Sequence, residues 1–516
     1  MFFESNFGSL VDILSGGRWS PTRVVHELTN RVAYFQSHGM SPSDRVLMHY
    51  GNCQEFFVDL LAIWSLGGCA IPLDPRLSDF EVETLALAAA PRFSLWRDHS
   101  VTDAAIRARL SGIGIMVLET APPSENGGPK RLPPSSPVPL SMDQPALILF
   151  TSGTTGQPRG VVHSHRSLQA RWTSLRKCLS IDKFQRTLCL LPTHFGHGLI
   201  CNSLFPWLSG QDLFVAPPFR PDLIMRMGSL LDDHEITFMS SVPSIWRLAL
   251  KTSKPPSLGR LEQVFCGSAP LSAFLWKSIQ EWSGIKDVYN AYGITEVASW
   301  VAGISGKDAT LEDGLVGRPW GATIKILDSS TTDVPPGVET ECTSGEPGYV
   351  WVKTPSLMSG YLGHDNLTSK VVSDGWLFTG DVGFVDARGF LYLRGRVREV
   401  INKGGTKIYP SDIDVVAEKY AQILDVCTFG YEEPLLGEDI GIAVVLKTAS
   451  DEHFQGAFNW LKAHLAQFQM PQRWYLLDEI PRTSRGKVNR SHVAKMCAGL
   501  TPIDHIKVMR QMTCER

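Results

Sequence analysis

Residues 151–160 read TSGTTGQPRG and follow directly on an apolar run, ALILF. Three glycines, Gly153, Gly156 and Gly160, permit tight turns and close approach of backbone to a ligand. Four hydroxyls, on Thr151, Ser152, Thr154 and Thr155, join the free backbone amides as donors to phosphate oxygens. Arg159 adds positive charge in a planar fork. A linker of small polar residues rarely sits between an apolar strand and a second β-like run, here VVHSH. The chemistry on offer is the binding of a phosphate-bearing anion. The pattern GxxxxGK[ST] is absent, which excludes a P-loop NTPase.

Four further stretches carry chemistry-bearing residues in a fixed order. They are CGSAPL at 266–271, YNAYGITE at 289–296, DGWLFTGD at 374–381 followed by RGR at 394–396, and PRTSRGKVNR at 481–490. Each has an ordinary reading when taken alone. Glu296 could be an acid favoured by a helix dipole. Asp381 and Arg396 could be a surface ion pair worth little. Lys487 could be a solvated side chain.

The set, running from 151 to 490, resembles the adenylate-forming superfamily of acyl- and aryl-CoA synthetases, luciferases and peptide-synthetase adenylation domains, and the resemblance extends over about residues 45–490. That family's signature loop is TSGTTGxPKG, and Arg159 stands at its lysine. The resemblance implies ATP, Mg²⁺ and a thiol acceptor, CoA or the phosphopantetheine of a separate carrier protein. It implies that Gly267, Ser268 and Ala269 line the adenine site, that Tyr292, next to Gly293, stacks on the base, and that Thr295 meets the α-phosphate. Glu296 would hold Mg²⁺, Asp381 and Arg396 the ribose, and Lys487 would bridge the acid and the α-phosphate. The residue types suit those tasks: a hard carboxylate for a hard cation, and two carboxylate oxygens for a diol. Arg398 falls at the family's hinge, and Gly404 and Gly405 at its thiol-tunnel loop. The implied activity is ATP-dependent activation of a carboxylic acid as an acyl-adenylate, then transfer of the acyl group to CoA by an acid–thiol ligase. The alternatives are a stand-alone enzyme loading a carrier protein and a nucleotide-binding regulator without catalysis.

In LPTHFGHGL at 191–199, Phe195 takes the place of the family's gating residue. Its neighbours Gly196 and His197 offer no acid to pair an α-ammonium, so an α-amino acid substrate is disfavoured. With Val242 and Val297 as further walls, the mixture of aromatic and small residues suits an aryl or a short-to-medium-chain acyl acid. His194 and His197 lack a third metal ligand.

Elements that could position these residues are legible in the periodicity. RVLMHYG and CAIPLD read as strands and EFFVDLLAIWSLGG as a helix closed by Gly67 and Gly68. Such alternation predicts parallel sheets of α/β type. FVDARGFLYLRGR reads as a hairpin turning at Ala387, Arg388 and Gly389. The resulting expectation is an α/β protein. A large N-terminal domain of packed sheets, 1–395, binds ATP and acid, and a small mobile α+β domain, 396–516, carries the lysine. The Pro- and Ser-rich stretch 121–139 reads as a surface loop.

A chain of 516 residues is too long for one core. A net charge of −3 gives no reason to expect nucleic acid as partner. No apolar run is long enough for a transmembrane segment, and the N-terminus lacks the pattern of a signal peptide. Ten scattered cysteines without CxxC spacing match neither zinc nor a disulfide framework. A cytoplasmic protein with reduced thiols is expected.

Overall fold

The computed structural model describes residues 7–97, 103–120, 141–152, 158–218, 220–328, 341–483 and 487–503. Gly153, Thr154, Thr155 and Gly156 of the glycine-rich loop lie outside these. Two large sheets and one small one organise the described chain. The largest, of fourteen strands, runs parallel through strands such as Arg186–Cys189, Phe238–Ser241, Gln263–Gly267 and Val288–Ile294. It turns antiparallel at Ser299–Ser305 and continues through Leu315–Pro319, Leu391–Arg396 and Trp376–Val385. The second, of seven strands, has parallel strands Arg45–Met48 and Cys69–Pro72 beside the antiparallel pair Pro145–Ser152 and Pro158–Ser164.

The helices form where the sequence allows one face, or all faces, to be buried. Gln54–Ser65 is apolar all round and is covered almost everywhere; it stops at Gly67, whose φ of +76° a β-carbon would oppose. The strand Pro158–Ser164 runs straight into the helix His165–Cys178 because the Ser164 side chain accepts the amide of Ser167 and so caps it. That cap fixes the helix next to the sheet and turns Arg171 inward, where it is fully buried. The hairpin expected at 387–389 forms between Trp376–Val385 and Leu391–Arg396, with Gly389 at φ +78°.

A third sheet, of five strands, begins at Ile401, just beyond the last strand of the large sheet at Arg396. Its helices Pro410–Glu418 and Asp451–His464 enclose a core that includes Ile413, Ile442, Phe454, Leu461 and Trp474. Three ion pairs join its flank to the rest: Arg247 with Glu418 at 2.6 Å, Lys419 with Asp313 at 3.2 Å, and Arg394 with Asp412 at 2.6 Å. The described cysteines are all free thiols. No helix among the described residues is long and apolar enough to cross a membrane.

Trp474 is wholly buried at the centre of the small core. Trp474→Ala is expected to destabilise this unit by about 3–5 kcal/mol. Differential scanning calorimetry should then show an early transition ahead of the main one.

Candidate active site

A cleft of about 1580 Å³ opens between the large sheets and the small unit. Small-molecule pockets usually span ~300–1,000 Å³, so this one has room for more than one reactant. Thr151, Arg159, Phe195, Gly196, His197, Ser268, Ala269, Tyr292, Gly293, Thr295, Glu296, Asp381, Arg396, Arg398 and Lys487 all line it.

The strand Val288–Ile294 ends in a single tight turn, Thr295–Val297. Its backbone oxygens are all claimed. His163 Nε2 donates to the Thr295 carbonyl at 2.7 Å, the Met358 amide to that of Glu296 at 2.8 Å, and Ser356 Oγ to that of Val297 at 2.9 Å. Because a carbonyl can only accept, Nε2 of His163 carries the proton. Burial holds this ring neutral, pushing its pKa down to about 4. Arg171 donates to the Val297 carbonyl as well, from Nε and Nη2 at 3.3 Å. The Glu296 carboxylate is oriented by Tyr361, whose hydroxyl donates to Oε1 at 2.9 Å. Burial and this carboxylate hold the phenol well above its usual range, so it remains a donor. The Arg159 guanidinium lies 6.0 Å from the centre of the Tyr361 ring, a stacking contact that suits a planar cation.

The glycine-rich stretch is the connection of an antiparallel hairpin. Thr151 pairs with Arg159 and Ser152 with Pro158, so Arg159 and Thr151 face each other at the base of the loop.

Asp381 and Arg396 are cross-strand neighbours, which is the physical meaning of their fifteen-residue spacing around a hairpin. Arg396 Nε meets Asp381 Oδ1 at 2.7 Å. The Tyr292 hydroxyl donates a short hydrogen bond to the other carboxylate oxygen. Burial and the Asp381 charge raise the Tyr292 pKa well above normal. Sequence reasoning gave Tyr292 only its ring face; the structure shows its hydroxyl tied to Asp381 as well.

Gly267 is glycine for a reason the sequence does not display. A β-carbon there would lie 2.3 Å from the Ala291 carbonyl oxygen of the adjacent strand, so bulk is forbidden by the sheet itself. Gly293 sits at a register shift between Val288–Ile294 and Ser299–Ser305, and its β-carbon would meet the Ser299 carbonyl at 2.1 Å.

Lys487 is the small unit's contribution. Its carbonyl accepts the Thr483 amide, and Arg482 bridges to Val488 across the loop. Described residues on either side of Lys487 are held in place. Arg482 makes two bonds to Asp425, at 2.8 and 2.7 Å. Arg490 pairs with Asp414 at 2.6 Å and with Glu399 at 3.1 Å. Gly404 and Gly405 form the exposed tip of a hairpin and are not among the cleft-lining residues.

At the far end, His197 starts a π-helical stretch, His197–Leu204. Its ring is held from both sides by hydroxyls, Ser268 at 2.8 Å and Ser240 at 2.6 Å, and packs edge-on against Trp300. Burial, with a smaller contribution from the Lys487 charge, pushes its pKa down to about 3. Phe195 and Gly196 lie beside it on the cleft wall. Val242 and Val297 were expected as walls too. The structure instead buries both off the cleft lining, because each is packed into an apolar cluster, Val242 in the one that holds Trp246 and Val297 in the one that holds Tyr361. His194 turns away to Asp74, 3.4 Å distant. Tyr361, His163 and Arg171 were not singled out from the sequence. Tyr361 could have been suspected from its place in SGYLG; a buried His or Arg carries no comparable signal.

The donor set suits one Mg²⁺ shared with phosphates. Glu296 Oε2 has no protein donor among the described residues. No cluster of three acidic, His or Cys ligands occurs among them. One carboxylate plus phosphate oxygens is the usual protein share for this ion.

A family model described as AMP-binding enzyme matches residues 9–362. The chain is 28% identical over 515 residues to a probable CoA ligase, CCL9, of Humulus lupulus, covering 94% of this chain and 93% of that one. It is 28% identical to a feruloyl-CoA synthase of an Amycolatopsis species, covering 91% and 93%. Among solved structures, ATP-bound MatB from Rhodopseudomonas palustris superposes with a TM-score of 0.83 at 23% identity, over 96% of each chain. At that identity the likeness is one of fold.

The depressed His197 pKa has a measurable consequence. The unfolded chain takes up this proton near pH 6.5, the folded one only near 3. The stabilisation is therefore whole above about pH 6.5 and is lost as pH falls toward 3. In thermal denaturation from pH 7 to 4, His197→Asn is expected to show a shallower acid decline than the parent chain.

Proposed function

The chain belongs to the AMP-binding enzyme family, and on that premise we propose that it activates a carboxylic acid with ATP and passes the acyl group to CoA. The observation that carries this reading is the meeting in one cleft of Lys487, from the small unit, with Thr295, Glu296 and Arg159 from the large one.

A carboxylic acid has a pKa near ~4–5 and is already an anion at neutral pH. No general base is needed for its attack. The obstacle is repulsion between that anion and the triphosphate, so the site must neutralise charge and align attacker with leaving group. The carboxylate oxygen bonds to the α-phosphorus and pyrophosphate departs, leaving an acyl-adenylate. Lys487 and the Thr295 hydroxyl hold the α-phosphate and the acid, and Arg159 with the 151–160 loop holds the outer phosphates. Tyr292, Gly267, Ser268 and Ala269 form the base site, and Asp381 with Arg396 the ribose site. Glu296 would hold Mg²⁺, which supplies further neutralisation of the phosphates. In the second step the CoA sulfur, its proton lost to solvent, bonds to the acyl carbon as the carbon–oxygen bond to AMP breaks.

The units as they stand suit the first step, since Lys487 lines the cleft while Gly404 and Gly405 lie outside it. We infer that residues 396–516 turn about Arg398 to bring these glycines in, with 1–395 as the fixed part. Such a turn must separate Arg247 from Glu418, so this pair favours the adenylating arrangement. His197 is neutral, and its described neighbours, Ser240, Ser268, Phe195 and Trp300, include no carboxylate; this supports an acid without an α-ammonium, aryl or acyl.

Lys487→Ala is expected to lower acid-dependent pyrophosphate exchange ~10²–10³-fold while ATP binding, followed by calorimetry, largely survives. Full-rate exchange in that variant would contradict the assignment. Incubation with ATP and a mixed acid library should yield an acyl-AMP by mass spectrometry. Offering free CoA and candidate carrier proteins side by side identifies the acceptor. Glu418→Gln should slow adenylation roughly 3–10-fold, the loss of about 1 kcal/mol from a charge-assisted bond, and leave thioester formation from supplied acyl-adenylate unslowed.

A further inference from the structure

Against the Thr295–Val297 turn, and not among the residues that line the cleft, lies a guanidinium with no acid beside it among the described residues. Arg171 has no exposed surface. Its donors reach two backbone carbonyls and two hydroxyls: Val297 at 3.3 Å, Trp320 at 2.8 Å, Thr354 Oγ1 at 3.4 Å and Ser356 Oγ at 2.6 Å. Among the described residues no carboxylate comes within 4.0 Å of it. Burial draws its pKa down to about 10, so it keeps its charge at neutral pH.

Such a group is costly. A buried ion left without a counter-charge carries a penalty of several kcal/mol, and an apolar side chain of similar volume is often the more stable choice. Hydrogen bonds engage each of its three nitrogens but supply no counter-charge. A charge at that depth is screened little by solvent, and the turn it grips carries Thr295 and Glu296 on the cleft lining. We propose that Arg171 is a positioning residue: it holds the Thr295–Val297 turn in place and supplies beside it a fixed positive field whose counter-charge is the bound triphosphate. This rests on the adenylation reading of the cleft. Ser356 belongs to the same device, since it accepts from Arg171 and donates to the Val297 carbonyl.

The test compares Arg171→Met, Arg171→Lys and Ser356→Ala with the parent chain. Three readouts are taken: Mg²⁺–ATP affinity by calorimetry without acid, the rate and Mg²⁺ half-saturation of acid-dependent pyrophosphate exchange, and thioester formation from supplied acyl-adenylate. Arg171→Met should weaken Mg²⁺–ATP ~10-fold, cut exchange ~10–100-fold and raise the Mg²⁺ requirement, with the supplied-adenylate step changed under ~3-fold. Arg171→Lys should recover the affinity, which follows charge, but not the rate, which follows the fork's geometry. Ser356→Ala should lower the rate a few-fold at unchanged affinity. The proposal falls if Arg171→Met binds Mg²⁺–ATP and exchanges as the parent does. It falls equally if that variant loses both half-reactions and its thermal midpoint together while Ser356→Ala matches the parent, for then the role is packing alone. If the parent chain forms no adenylate with any acid, the reading of the cleft fails instead, and the calorimetric arm decides Arg171 by itself.

Discussion

The turn at Thr295–Val297 is where the two large sheets are fastened together. It follows a strand of the fourteen-stranded sheet, yet its partners come from the other layer and from the segment that crosses to it. His163 and Tyr361 stand on strands of the seven-stranded sheet, and Arg171 on the helix that leaves it. From that side come the donors to the Thr295 and Val297 carbonyls and to the Glu296 carboxylate, while Ser356 and Met358, on the segment that crosses between the sheets, hold the Val297 and Glu296 carbonyls. A turn so held cannot relax toward water, and this rigidity is what electrostatic preorganisation requires. The seam between the sheets and the cleft are therefore one feature: separating the layers would dismantle the site.

The small unit brings Lys487 to this cleft from between two anchored arginines. Arg482 and Arg490 fix the two ends of the Lys487 segment to Asp425, Asp414 and Glu399. Glu399 lies in the link next to Arg398, so the lysine loop is tied to the connection between units. The two units meet through ion pairs at the Arg247–Glu418 flank. Pairs of this kind can be exchanged at small net cost, because most of their Coulomb gain offsets desolvation. If the small unit turns as proposed, a contact broken and remade in each cycle is better built from such pairs than from apolar surface.

Arg159, at the foot of the glycine-rich stretch, joins the same set of contacts. The charge of the usual lysine is retained, and the planar head finds the Tyr361 ring, which in turn holds Glu296. Arg159 and the acid-bearing turn are thereby linked through one aromatic side chain.

The sequence by itself determined the class of fold, the order of the motifs and the residue types able to meet phosphate, ribose and carboxylate. These are local properties: periodicity sets strand and helix, and glycine, hydroxyl and charge have fixed chemistry wherever they fall. The Asp381–Arg396 pair was legible too, since a hairpin converts spacing into register. Other features were decided only by tertiary structure. Gly267 is small because Ala291 of a neighbouring strand lies against it. Val242 and Val297 are core, not wall. His163, Tyr361 and Arg171 are partners of a turn more than 60 residues away along the chain. Contacts between sheets depend on how two layers pack, and no pattern within either strand records which side chain of one will reach the backbone of the other.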